Sequence, residues 1–328
     1  MKKILVTGAD GMLGSNLVRE LLHRGHRVRA FLLPDRPVDT LAGLDIEKQY
    51  GNLLRADEVR AAVRGCEVVI HTAANTSIWP NRSEAVRRVN VQGTQHLVEA
   101  ALDQGVERFI FVGTANSFGF GSKESPGDET RPYQGGKYQL DYMDSKYQAQ
   151  QLVLQAVRER QLPALTVNPT FMFGPYDSKP GAGAMILAVY HQKAPGFAIG
   201  GRNYIHVSDV ATAIANALTQ GRIGESYIAG HQNLNYREAF TTIARVVGVK
   251  APRITIPAPL TLLYGWLGTQ VANFTGKAPV VSYSMAQISC DGHYFDARKA
   301  VEELNMPQTN VETAIKDCFD WLKANGYC

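Results

Sequence analysis

Lys3-Ile4-Leu5-Val6-Thr7-Gly8-Ala9-Asp10-Gly11-Met12-Leu13-Gly14 is the stretch on which the fold turns. Its opening residues form a short apolar run of strand length that stops at glycine. Leu13, Leu17, Leu21 and Leu22 then recur at helical spacing until Gly25. The spacing predicts a strand over Lys3–Thr7 that turns sharply into a helix over Met12–His23. Each glycine removes a side chain that would obstruct. Gly8 permits the tight turn, Gly11 lets a pyrophosphate approach the backbone, and Gly14 lets helix and strand pack closely. The helix start offers free N–H groups and the positive end of its dipole to phosphate oxygens. Gly8, Asp10, Gly11, Met12, Leu13 and Gly14 are therefore the predicted cradle of a dinucleotide.

Outward from this turn, strand and helix patterns alternate. Strands are predicted at Arg27–Leu33, Glu67–His71, Arg108–Gly113 and Ala164–Asn168. Between them lie helical patterns at Val59–Val63, Glu84–Leu102 (stopped near Gly105) and Tyr142–Arg160. This rhythm predicts an α/β fold of Rossmann type, a doubly wound parallel sheet with helices on both faces. The second half is less regular. Residues 169–201 are rich in proline and glycine and are read as wrapping a site, with strands at Tyr204–Val207 and Ser226–Ala229 and helices at Tyr236–Val247 and Val311–Ala324. The predicted organisation is a dinucleotide-binding domain of residues 1–170 and 204–232, and a smaller C-terminal substrate-binding lobe of residues 171–203 and 233–328.

Composition narrows the function classes. The 328 residues carry 34 basic and 30 acidic side chains, scattered along the chain. The densest basic stretch, Arg82–Arg88, is broken by Glu84 and reads as a solvated helix face, not a nucleic-acid footprint. The small positive excess would help draw in a phosphorylated cofactor. The four cysteines form no Cys-x-x-Cys pair, so neither a zinc site nor a disulfide framework is expected, and no metal is assigned. Lys2 and Lys3 followed by Ile4–Val6 resemble the start of a signal peptide, but the apolar run ends at Thr7-Gly8. No run reaches the ~20 apolar residues of a membrane span. A cytoplasmic protein with a small-molecule substrate and no nucleic-acid partner is expected.

The Gly-x-x-Gly-x-x-Gly spacing differs from the Gly-x-Gly-x-x-Gly of many dehydrogenases. It resembles the motif of extended short-chain dehydrogenases/reductases, of the NAD-dependent epimerase/dehydratase type. His71-Thr72-Ala73-Ala74 resembles the strand end that passes the cofactor in that family. Val89-Asn90-Val91-Gln92-Gly93-Thr94 resembles its asparagine-bearing helix, and Arg202–Val210 its late strand-to-helix segment. Tyr142 and Lys146 form a Tyr-x-x-x-Lys pair with Ser145 before the lysine. The resemblance spans Lys3 to the Phe319–Tyr327 tail. It implies that Tyr142 is general acid in reduction and general base in oxidation, and that Lys146 lowers the phenol pKa and binds the nicotinamide ribose. Helical spacing does put the two on one face, and a phenol of pKa ~10 needs a nearby positive charge to exchange its proton near neutrality. Tyr133 and Lys137 fit the same pattern but enclose Gln134-Gly135-Gly136, which disfavours a helix. Thr114, within Gly113–Ser117, aligns with the family's hydroxyl that holds the substrate oxygen, with Ser117 as competitor; a hydroxyl bonded to its own backbone is the plainer alternative. Asn90 either orders the active-site backbone or a water relay to Lys146, or simply fixes its helix. Ala115 and Asn116 stand where related dehydratases carry two acids, which argues against dehydration chemistry.

The acid that would bind the ribose of NAD aligns with Leu32 or Leu33, neither of which can do so. Asp35 follows late, and Arg36 beside it could pair with a 2′-phosphate, so NADP is favoured over NAD. Asn52, Leu53, His71, Ala73, Ala74, Pro169 and Thr170 complete the cofactor set that the resemblance implies. Asn168–Pro175 resembles the segment lining nicotinamide and substrate. Trp79, Phe171 and Phe173 are candidate apolar walls, or core. Pro257–Thr275 is strongly apolar and resembles the late helix of the dihydroflavonol-reductase and 3β-hydroxysteroid-dehydrogenase branch; it could at most touch a membrane. Arg202 points the other way, because the aligned arginine of sugar-nucleotide enzymes binds a diphosphate; a structural ion pair is the alternative. His206 and Asp209 read as strand-end and helix-cap residues, with Asp209 or Ser208 as the cap. The expected function is an NAD(P)-dependent carbonyl reductase or alcohol dehydrogenase for a fairly apolar hydroxyl or ketone. The rivals are a nucleotide-sugar 4-epimerase with retained NAD and a non-catalytic dinucleotide sensor or scaffold. A homodimer through the Glu84–Leu102 and Tyr142–Arg160 helices is a family-based expectation.

Overall fold

A computed structural model describes all 328 residues, and the strand near the start of the chain lies in the middle of its main sheet. β1 (Lys3–Thr7) leads into α1 (Met12–His23), followed by β2 (Arg27–Leu32), β3 (Glu47–Tyr50), α2 (Ala56–Val63) and β4 (Val68–His71). Next come α3 (Glu84–Arg87), α4 (Gly93–Gln104), β5 (Arg108–Val112), α5 (Asp141–Arg160) and β6 (Ala164–Pro169). The chain continues through β7 (Phe171–Phe173), α6 (Gly183–Tyr190), β8 (Gly201–His206), α7 (Val207–Asn216), β9 (Ser226–Ala229), β10 (Gln232–Asn235) and α8 (Tyr236–Val247). It ends with α9 (Ala258–Thr275), α10 (Tyr283–Cys290), β11 (Gly292–His293), α11 (Arg298–Leu304) and α12 (Val311–Ala324).

Seven parallel strands run in the order β3-β2-β1-β4-β5-β6-β9. The order reverses between β1 and β4, so their carboxyl ends flank a crevice, the place where open α/β sheets bind ligands. Except at the edge strand β3, both faces are buried, and the strands are largely apolar for that reason. Ile4, Val6, Val68, Ile70, Ile110 and Val112 point into a core shared with α1 and α7. Leu5, Val69, Phe109 and Phe111 point into the opposite core, under α2, α4 and α5. A second sheet, β10-β8-β11 with β7 also on β8, packs with α6, α8 and α12 around Phe173, Tyr204 and Phe319.

Departures from the sequence reading have local causes. The helix expected over Glu84–Leu102 carries a π-helical insertion at Arg88–Gln92. β3, Glu-Lys-Gln-Tyr, has no apolar alternation; it is an edge strand defined by pairing with β2, with Glu47 ion-paired to Lys3 and Arg29. The lobe boundary expected at residue 204 cuts β8, which pairs with β7, β10 and β11 and not with the main sheet.

Candidate active site

The glycine turn is shaped by what its backbone touches. Gly8 has φ +65°, and a Cβ there would lie 2.7 Å from the Cα of Ala73. A Cβ on Gly14 would lie 2.1 Å from the Gly8 carbonyl oxygen. By contrast, a Cβ on Gly11 would meet only the Gly8 oxygen, at 3.4 Å, so the space above it is open. The first helical bond runs from Ser15 N–H to Gly11 C=O, which leaves the N–H groups of Met12, Leu13 and Gly14 without a backbone partner. Gly11 caps α1 with no side-chain bond to those groups. An open floor, free donors and a helix N-terminus together fit a pyrophosphate.

A hydrogen-bonded chain locks this turn to its neighbours. Ala73 N–H donates to Thr7 Oγ1, which lies 2.7 Å from His71 Nδ1. His71 Nε2 lies 3.0 Å from Thr94 Oγ1, which donates to Asn90 C=O. Burial pushes the His71 pKa down to about 3, so the ring is neutral at physiological pH. Its side chain is 1% exposed and is a strut, not a cleft-lining group. Ala73 and Ala74, half-buried, continue from it along the crevice.

Asn90 sits in the π insertion. Its Oδ1 accepts from Asn75 N–H, and its Nδ2 donates to Asn75 C=O and Ser145 Oγ. It therefore ties the loop after β4 to α5, one residue before Lys146. On α5, the Lys146 Nζ donates to Val112 C=O at 2.7 Å, 4.4 Å above the Phe111 ring. Burial lowers its pKa to about 7. Burial also raises that of Tyr142, a half-buried residue whose hydroxyl has no protein hydrogen-bond partner. In this structure desolvation governs both groups, and the lysine is aimed at the strand end. Thr114 Oγ1 accepts from Asn116 N–H and so caps a short 3-10 turn over Ala115–Ser117. The competing Ser117 is 2% exposed, with its hydroxyl unpaired. In the other Tyr-x-x-x-Lys pattern, Tyr133 donates to Asp144 and lies outside any helix, while Lys137, on a 3-10 turn over Gly135–Tyr138, pairs with Asp291.

The remaining cofactor candidates lie along the same carboxyl edge. Arg36 is exposed, has no ion pair, and lies in the loop after β2. Thr40 Oγ1 bonds Asp10 C=O and so tethers that loop to the glycine turn. Asn52 spends its Oδ1 on Leu54 N–H in a local turn, and the neighbouring Leu53 is buried against Gly93. Pro169 is buried, while Thr170 bonds Ala229 C=O and Asn203 Oδ1.

On the substrate side, Arg202 projects from β8 over the Phe171 ring, 5.0 Å from its centroid, with Nε donating to Tyr236 OH. It has no carboxylate partner, so it is not the structural ion pair considered above. His206, not Ser208 or Asp209, caps α7; Asp209 instead holds Thr309. Trp79, half-buried, lies in the loop after β4 next to Ile78, which packs with Tyr142 and Phe120 against Tyr138, Leu140 and Met143. One group escaped the sequence reading. Tyr138 donates to Asp291, His293 Nε2 lies 3.1 Å from the Tyr138 oxygen, and His293 Nδ1 faces the Asn116 amide at 3.0 Å. The His293 ring also stacks on Phe120. Asn116 is thereby fixed beside Thr114 with the other end of its amide unpartnered.

A model of the NAD dependent epimerase/dehydratase family matches residues 4–230. "Putative dihydroflavonol 4-reductase" of Synechocystis sp. is 33% identical over 327 residues, 98% of this chain and 95% of that protein. "Sterol demethylase protein B" of Methylococcus capsulatus is 30% identical over 328 residues, 98% of either chain. The crystal structure of gox2253 superposes with a TM-score of 0.87 at 34% identity, covering 99% of both chains.

Proposed function

The chain belongs to the NAD dependent epimerase/dehydratase family and is an oxidoreductase of the extended short-chain dehydrogenase/reductase type, and we propose that it is a carbonyl reductase or alcohol dehydrogenase for a fairly apolar substrate. The observation that carries this reading is Tyr142, whose hydroxyl has no protein hydrogen-bond partner and whose side chain packs, as Ile78 and Phe120 do, against the cluster of Tyr138, Leu140, Met143 and Ile288. An apolar wall around one proton-exchanging group suits a carbonyl on a hydrophobic skeleton. Ala115 and Asn116 supply no acid for elimination.

When bound, the nicotinamide supplies the hydride or takes it up. Tyr142 moves the proton at its Oη, Thr114 holds the substrate oxygen, and Lys146 in its ammonium form stabilises the phenolate. The free N–H groups of Met12, Leu13 and Gly14 hold the pyrophosphate. Arg36, unpaired in a loop tethered to that turn, favours NADP.

Arg202 supports a second reading. A cation with no carboxylate partner over an aromatic ring suits an anionic group on the substrate, as in a nucleotide-sugar 4-epimerase. Purified protein assayed with NADPH and a panel of ketones separates the two. Net NADPH oxidation is the expected result. Tightly co-purified NAD with no net turnover, and interconversion of a nucleotide sugar, would establish the epimerase instead.

A further inference from the structure

Helix α9 is built inside out. Thr261, Gly265, Gly268 and Ala272 recur at i, i+4, i+7 and i+11 and form its inner face. A Cβ on Gly265 would lie 2.5 Å from the Ala286 Cβ of α10, and one on Gly268 would lie 2.6 Å from the Val281 carbonyl oxygen. The helix therefore approaches its neighbour by omitting side chains. Its bulk points away. Leu260, Leu263, Tyr264, Leu267, Val271 and Phe274 recur at i, i+3, i+4, i+7, i+11 and i+14, and their exposure runs from 49% at Leu267 to 93% at Phe274. Trp266 and Val280 widen the exposed face. An ordinary surface helix buries such a stripe, and an exposed apolar patch of this extent marks a contact surface.

Charge identifies what it contacts. From residue 239 to residue 290 the chain has four basic side chains, Arg245, Lys250, Arg253 and Lys277, and no acidic one. Arg245 is paired with Glu312. Lys250, Arg253 and Lys277 are exposed and have no carboxylate partner. Lys250 and Arg253 precede α9 and Lys277 follows its C-cap, so positive charge brackets the apolar stripe. A second copy meeting this face across a two-fold axis would bring like charges together. An anionic bilayer satisfies both features at once. No helix is long and apolar enough to cross a membrane, which leaves α9 to lie in the interface.

We propose that α9 docks on an anionic lipid surface, its apolar stripe at the headgroup–acyl boundary and Lys250, Arg253 and Lys277 on lipid phosphates. Tyr264 and Trp266 are the amphipathic ring types that favour that depth. Ser284 of α10 donates to Tyr138 C=O, and Ile288 packs on Tyr138 and Met143, so the helix pair that carries the docking face also reaches the candidate active site.

Co-sedimentation of the full chain with vesicles of phosphatidylcholine containing about a third phosphatidylglycerol tests this. The expected result is binding at low salt, release at high salt, and a blue shift in tryptophan emission that Trp266→Phe abolishes. Phe274→Ser should weaken partition by at least about tenfold, and Lys277→Gln by roughly fivefold, both with unchanged nucleotide binding. Lys277→Gln leaves the apolar face intact, so loss of folding cannot mimic its effect. Failure to bind the anionic vesicles, equal binding to pure phosphatidylcholine, or a dimer that Phe274→Ser splits would each overturn the proposal.

Discussion

The two sides of the cleft are shaped by different parts of the chain. On the cofactor side the surface is main chain: Gly8, Gly11 and Gly14 leave N–H groups, a carbonyl and open space. On the proposed substrate side it is side chain: Asn116, Tyr142 and Arg202 come from separate segments, with Asn116 held by the buried His293–Tyr138 pair and Arg202 by Tyr236. At Gly8 and Gly14 this main-chain surface has no room for an added atom, and it recognises only what every dinucleotide shares. A side-chain surface can be altered at modest cost to the fold, and there one family member can come to differ from another.

Substitution at Gly14 breaks the comparison hardest. Gly14→Ala places a Cβ 2.1 Å from the Gly8 oxygen, and both sides of that clash are backbone. We expect loss of nucleotide binding and destabilisation of about 3 kcal/mol or more, read by calorimetry and chemical unfolding. Stability and affinity close to wild type would refute the main-chain account.

Lys146 lies where the two sides meet. Burial lowers its pKa from 10.5 to about 7. The unfolded chain therefore holds more protons than the folded one between those values, and stability rises with pH across that window. Below the folded value the full cost of the buried ammonium is present. Lys146→Met should raise stability near pH 7 by roughly 1–3 kcal/mol, flatten the alkaline slope, and abolish turnover. Thermal unfolding across the pH series checks this; an unchanged slope would show that the lysine is not the source.

The smallest change tests the substrate side. Asn116→Leu removes the unpartnered amide end that His293 holds in place. About a tenfold rise in KM at nearly constant kcat is expected, with nucleotide affinity unchanged. An effect on nucleotide affinity alone would place the residue on the wrong side of the comparison.

The same contrast explains what could be read from the chain. The strand–glycine–helix turn is local, so Lys3–Gly14 carries its own signal, and β1 and α1 begin and end where the periodicity places them. The alternating-core strands are legible for the same reason. The π insertion at Arg88–Gln92 is not, because the asparagine within it bonds Asn75 and Ser145, 15 and 55 residues away. His293 gives no sequence signal at all; its partners Asn116 and Tyr138 lie 177 and 155 residues upstream. Tyr138 is equally silent, because its partners Asp291 and His293 lie more than 150 residues downstream. His71 was legible as a cofactor-edge residue by position, but its two threonine bonds turn the ring into the core. The outward bulk of α9 could be seen as apolar, while its exposure depends on glycines meeting α10.

The central claim is that Tyr142 exchanges the proton on a scaffold that binds the nucleotide independently. Tyr142→Phe removes one oxygen and leaves the ring packed. Measured on a ketone that the wild-type chain reduces, turnover should fall by about 10²–10⁴-fold, while NADPH affinity and thermal stability stay at wild-type values. Retained turnover would contradict the account.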